Sequence, residues 1–181
     1  MVDPVAIWHA EHVRFERMLA FLEEQMAAFH RGEDPDYSFM RDVVDYLHHY
    51  ADSFHHPRED VAFARLVELD PDLRLPVNRL LQEHRVIATA GEKLLQCLED
   101  ILEDVVIERS VVEAAAATYL VYYHHHIATE EKEILPRAAQ LLEPRDWERV
   151  ASAVAATPDP VFGADAGERY RELRDRILKA A

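Results

Sequence analysis

The chain has 181 residues, enough for one sizeable core and short for two, so one domain is the starting expectation. Its 35 acidic residues against 20 basic give a net charge of −15, which repels phosphate backbones and anionic lipid and argues against nucleic-acid or membrane-surface partners. No apolar run approaches the roughly 20 residues that span a bilayer. The opening MVDPVAIWHAEH has neither the basic nor the apolar region of a signal peptide. One cysteine, Cys97, cannot close an internal disulfide, so the expected compartment is the cytoplasm. Cys97 itself is read as a small core residue without a role.

Only four glycines are present, and apolar residues recur three and four apart, so the expected class is all-α. In the first segment Trp8, His12, Phe15, Leu19, Leu22 and Met26 step along one face. HRGEDPD (30–36) should be a loop. A second helix is predicted from Tyr37 to Leu69, ended by LDPDLRLP with its two prolines, and a third from Leu75 to Leu102. DVVIERS (104–110) is a weaker boundary, at which Ser110 could cap a fourth helix with Glu113 three residues on. That helix should reach Leu142. Four long helices with short connections predict an antiparallel up-down four-helix bundle over 1–143. Residues 144–181 are expected to add one or two short helices: one from Pro144 to about Ala155 with Trp147 and Val150 inward, and one in ERYRELRDRILKA (168–180) with Tyr170, Leu173 and Ile177 on one stripe.

Polar residues break the apolar faces at matched places. His12 lies in the apolar register of the first helix and His84 in that of the third, each directly after a glutamate, Glu11 and Glu83. The second and fourth helices carry HxxxE, as His55 with Glu59 and His126 with Glu130, and each of these glutamates precedes another acid, Asp60 and Glu131. His12 to His55 is 43 residues, and His84 to His126 is 42. The chain thus reads as two copies of one unit.

Four residues turn a helix by about 400°, so the histidine and glutamate of HxxxE lie one turn apart on one face and can converge on one point. A single histidine in an apolar register is usually a hydrogen-bonded core residue, and a single HxxxE is usually an exposed pair. Neither reading explains matched repetition in register with the core. Burying one unpartnered polar group costs about 1–3 kcal/mol. Six of them would approach the whole stability of a domain, about 5–15 kcal/mol. Four imidazoles and two carboxylates facing one axis make a metal site, and two equivalent halves suggest two metals bridged by the carboxylates. Oxygen and imidazole donors without thiolate suit iron or manganese, with zinc as an alternative.

The order His, HxxxE, His, HxxxE, carried by EHVRF (11–15), FHHPRED (54–60), QEHRVI (82–87) and HHHIATEEKEILP (124–136), resembles the hemerythrin-like, or HHE cation-binding, domains over about Ile7 to Leu142. The resemblance implies a non-haem di-iron centre, oxo- or hydroxo-bridged and cycling between Fe2+ and Fe3+. His12, His55, His84 and His126 would be its terminal ligands, and Glu59 and Glu130 its bridges. Oxygen-carrying relatives use five histidines, two of them four apart on the third helix. Here the positions four either side of His84 are Leu80 and Ala88, which cannot ligate.

The best spare ligand by register is His48, seven before His55; His9 is expected half-exposed near the bundle end. His56, about 100° from His55 on an α-helix, is expected at the surface or behind the ligands, and Pro57 is expected to kink or restart the helix. His30, His49, His124 and His125 fit no converging face. Tyr119 and Tyr122 are read first as core aromatics and second as electron donors. The resulting expectation is a di-iron protein that binds or senses O2 or a related small molecule such as NO or peroxide. The alternatives are a peroxidase- or catalase-like enzyme, and iron storage. A protein partner is compatible with the sensing reading, and the sequence does not address oligomeric state.

Overall fold

The computed structural model describes residues 3–154, 158–163 and 170–179. The expected helix end at Ala155 and the stretch opening at Glu168 reach outside these residues. Pro4–Arg31 forms α1, capped by the Asp3 side chain on the Val5 N–H and closed by Gly32, whose φ of 75° is the left-handed turn that glycine adopts without steric cost. The second rod consists of α2 (Tyr37–Tyr46), a π-helical stretch (Leu47–His55) and α3 (His56–Leu69). A short 3-10 turn at Pro71–Leu73 leads into α4 (Arg74–Leu102). The fourth rod consists of α5 (Arg109–Thr129), a second π-helical stretch (Glu130–Ile134) and α6 (Leu135–Leu141). None of the described helices is long and apolar enough to cross a membrane.

The fourth rod starts one residue earlier than its expected cap. Arg109 is already helical and Glu108 holds the N-cap position, so Ser110 lies inside the helix and makes no capping box. Glu113 instead accepts from Arg109 Nε at 3.1 Å.

Both π-helical stretches end two residues before a proline. His56, before Pro57, donates its N–H to Ala51 O, and Leu135, before Pro136, donates to Glu130 O. Proline has no N–H, and its ring clashes with the carbonyl four residues back in an α-helix. A widened turn absorbs that conflict without breaking the rod. The kink expected at Pro57 is therefore a change of helical pitch.

The buried apolar residues form two blocks. The larger includes Phe15, Leu19, Val43, Ala51, Ile87, Leu94, Tyr119, Tyr123 and Ile127. The smaller includes Trp8, Ala62, Phe63, Leu66, Val77, Leu80, Ile134 and Leu135. Followed along the chain, α1 runs from the smaller block to the larger, the second rod returns, α4 runs up again, and the fourth rod returns. That alternation is the predicted up-down bundle. Each rod crosses from one block to the other through its polar exception: His12, His55 to Glu59, His84, and His126 to Glu130.

The C-terminal helices close the flanks. In α7 (Pro144–Ala153), Glu143 and Asp146 form a capping box, Arg65 Nε donates to Asp146 at 2.9 Å, and the Trp147 ring meets Trp8 edge-on at 5.2 Å. Leu173 and Ile177 of α8 (Arg171–Lys179) join the larger block. Leu80 is fully buried in the smaller block, whereas Leu75 is 73 % exposed on the same helix. Leu80→Ala should lower unfolding free energy by about 2–5 kcal/mol in urea titrations, while Leu75→Ala should stay within about 0.5 kcal/mol.

Candidate metal centre

All six expected ligands meet between the two blocks, each 8 % exposed or less. His12 Nε2 and His55 Nε2 lie 3.0 Å apart, and His84 Nε2 and His126 Nε2 lie 3.1 Å apart. The carboxylates tie these pairs together. Glu59 Oε1 lies 3.4 Å from His12 Nε2 and 3.0 Å from His55 Nε2, while its Oε2 lies 3.6 Å from His84 Nε2. Glu130 is placed the opposite way, with Oε2 3.4 Å from His12 Nε2 and Oε1 3.1 Å from His126 Nε2 and 3.9 Å from His84 Nε2. Each carboxylate thus presents one oxygen to each imidazole pair.

Three of the other four ring nitrogens are hydrogen-bonded, across helices, to acids that neighbour the expected ligands in sequence. His12 Nδ1 lies 2.7 Å from Glu131, His55 Nδ1 2.7 Å from Glu11, and His84 Nδ1 2.8 Å from Asp60. His126 Nδ1 lies 3.6 Å from Glu83, whose other oxygen lies 3.0 Å from His125. Glu11 is itself held by the Tyr50 hydroxyl at 3.0 Å and by Arg58 Nη2 at 3.1 Å. A carboxylate on Nδ1 fixes the proton there and turns the Nε2 lone pair inward. Two lone pairs facing at 3.0 Å repel unless a proton or cation sits among them. All four oxygens of Glu59 and Glu130 are buried with no hydrogen-bond partner among the described residues. Buried acceptors converging without donors are what a cation requires, so the residues present fit a bound metal.

Two groups of donor atoms close enough to share an ion can be drawn: His12, His55 and Glu59, and His56, Glu59, His84 and His126. The second contains a residue that α-helical geometry placed elsewhere. His56 is 3 % exposed and lies flat against His84, with ring centroids 4.3 Å apart and planes 14° apart. His56 directly follows the π-helical stretch Leu47–His55, whose extra residue per turn shifts the register of the residues after it relative to a continuous α-helix.

The remaining candidates lie apart. His48 points to Asp52, with Nδ1 2.9 Å from Oδ2, and does not join the cluster. His9 is more than half exposed and holds the second oxygen of Glu131 at 2.9 Å. His124 pairs with Glu16, and His49 with the Asp45 carbonyl. Tyr122 is 40 % exposed, while its neighbour Tyr123 is fully buried, 5.9 Å from the His56 ring and 5.4 Å from the Tyr119 ring. Tyr119 is the core aromatic expected, whereas Tyr122 is exposed and not part of the core.

A metal-binding helical bundle is the class that this layer defines. The Hemerythrin HHE cation binding domain family matches residues 3–138, and the chain belongs to that family. No curated protein and no solved structure matches the chain.

Without a cation, protons take its place. Burial pushes His12 down, but Glu131, Glu59 and Glu130 outweigh it and raise the ring to about 10. Burial likewise opposes His84, which Asp60, Glu130 and Glu59 raise to about 11. Burial and the neighbouring Glu59 push Glu130 up, but His126 and His84 outweigh them and bring it to about 2. The raised histidines contribute stability that is complete below their ordinary 6.5 and lost as pH rises through about 10 and 11. Glu130 contributes stability present above 4.5 and lost as pH falls through about 2. The metal-free chain should therefore melt at falling temperature as pH rises from 6.5, while metal affinity rises because ligation needs unprotonated rings. Melting scans of chelator-treated and metal-loaded protein across that range check both slopes, and parallel slopes would contradict this account.

Proposed function

We propose that the layer between the two apolar blocks holds two iron ions bridged by Glu59 and Glu130, and that this centre binds or senses O2 or a related small molecule such as NO or peroxide. His12 and His55 serve one ion, and His84 and His126 the other. The observation that carries the reading is the placement of each carboxylate with one oxygen toward each imidazole pair. Imidazole and carboxylate donors without thiolate suit iron among the redox-active metals.

Bound iron supplies a ferrous–ferric couple within reach of a small ligand. The chain's own side chains set the conditions. Glu131, Glu11 and Asp60 hold ring protons at Nδ1, so that Nε2 stays a lone-pair donor. Phe15 and Ile127 on one side and Trp8 and Phe63 on the other wall the layer with apolar surface and keep bulk water away. A groove of about 610 Å³, lined by Val13, Ala20, Ile127 and Ala128 beside His12 and Glu131, brings solvent to the edge of the layer and suits the approach of a small, weakly polar molecule.

A second reading, peroxidase- or catalase-like turnover of peroxide, is favoured by one observation. Tyr119 and Tyr123 form a buried pair of phenols leading to His56, placed to supply electrons.

Protein grown with iron should carry about two metals per chain by elemental analysis. Glu59→Ala and Glu130→Ala should each lower metal content and melting temperature together; unchanged loading removes that residue from the site. Mixing the reduced protein with oxygen or peroxide separates the readings. A reversible spectral adduct supports binding, whereas sustained oxygen release from peroxide, or its consumption with an electron donor, supports turnover.

A further inference from the structure

Resting on the two-ion reading, we propose that His56 is a fifth imidazole ligand, shared with neither Glu59 nor Glu130 as a bridge but added to the His84 and His126 half. The centre is then asymmetric, with three imidazoles on one side and two on the other.

Three observations on different atoms support the assignment. A donor atom of His56 lies within 4.8 Å of donor atoms of Glu59, His84 and His126, so all four can face one ion. The His56 ring is buried against the rings of His84, His126 and Tyr123, with centroids 4.3, 5.3 and 5.9 Å away. Its Nδ1 lies 3.1 Å from Asp52 Oδ1. That places a carboxylate at Nδ1, as at His12, His55 and His84, although the His56–Asp52 contact lacks the hydrogen-bond geometry of the other three. A metal-ligating histidine usually gives its far N–H to such an acceptor, which fixes the tautomer. Asp52 is in turn held by His48 Nδ1 at 2.9 Å, so the histidine expected as a spare ligand acts one step further out, as the partner of the acid behind His56.

The second unit of the repeat has no equivalent. The residue after His126 is Ile127, part of the larger apolar block. There the π-helical stretch begins at Glu130, beyond the histidine, whereas in the first unit it ends at His55. The position of the widened turn relative to the motif therefore decides which half receives the additional ring. Three imidazoles hold a borderline cation more tightly than two, so the two ions should load with unequal affinity.

The test is an anaerobic titration of the full-length, metal-free chain with ferrous iron against a competing chelator. Wild type should take up two ions in two resolved steps. In His56→Ala the tighter step should weaken about tenfold or more, the scale seen when metal-site partners are removed. Free imidazole should restore that step, which a merely structural loss would not allow. Wild-type affinities in His56→Ala, or loss of the step without rescue by imidazole, would overturn the proposal. Should that variant fail to fold, NMR of the cobalt(II)-loaded wild type counts the rings directly. Five exchangeable hyperfine-shifted ring N–H signals support the fifth ligand, and four overturn it. A wild-type chain that takes up no ion overturns the two-ion reading beneath it.

Discussion

Imidazole lone pairs turned toward one another in a dry interior are the constraint on which this architecture depends. Three of the four rings in the expected set have Nδ1 within 2.7–2.8 Å of a carboxylate, so their Nε2 atoms meet at the centre with nothing to donate. The Glu59 and Glu130 oxygens add further acceptors to the same small volume. Such a cluster is repulsive by itself and attractive around a positive charge. Protonated rings meet the need until pH rises through about 10 and 11, and a divalent cation meets it with the rings unprotonated. The outer acids explain part of the chain's acidity. Glu11, Asp60 and Glu131 orient rings, and Asp52 sits behind His56, so these are working members of the centre and not general surface charge.

The acids also make the repeat intelligible. Glu11 precedes His12 yet serves His55, and Glu131 follows Glu130 yet serves His12. Asp60 follows Glu59 and serves His84. Three of the four rods thus bring a candidate ligand and a hydrogen-bonded orienting group for a different rod, which fixes their relative rotation. A rod rotated by one residue would lose a metal donor and a hydrogen bond to its neighbour together.

Most of the fold and the six-residue cluster were legible because they depend on periodicities that hold wherever the backbone is α-helical. Prolines, the glycine at 32 and charged turns marked the rod ends, and four-residue spacing placed His55 with Glu59 and His126 with Glu130. The residues that escaped lie where that geometry changes. His56 was expected at the surface or behind the ligands on a turn of about 100° per residue; it is buried against His84, and the backbone leading to it donates across five residues and not four. Pro57 signalled a disturbance without saying that it would take the form of a wider turn. Tyr123 escaped for a related reason: α5 is α-helical, but the inward face near its end is shared among rods, and spacing from His126 alone does not define it. His48 was in register yet turned to Asp52, because a nearby carboxylate four residues on is a closer partner than the centre. The partnership of the outer acids was visible as adjacency but not as pairing, since the pairs cross between helices.

The division of the apolar interior into two blocks has its own consequence for how this molecule ages and turns over. Each rod passes from one block to the other only through hydrophilic side chains, so van der Waals cohesion is interrupted at the same level in all four. The cations would then act as a clasp joining two otherwise separate pieces of oil-like interior. Without a bound cation the smaller block, with Trp8, Trp147 and α7, would open before the larger one and offer proteases a loosened end.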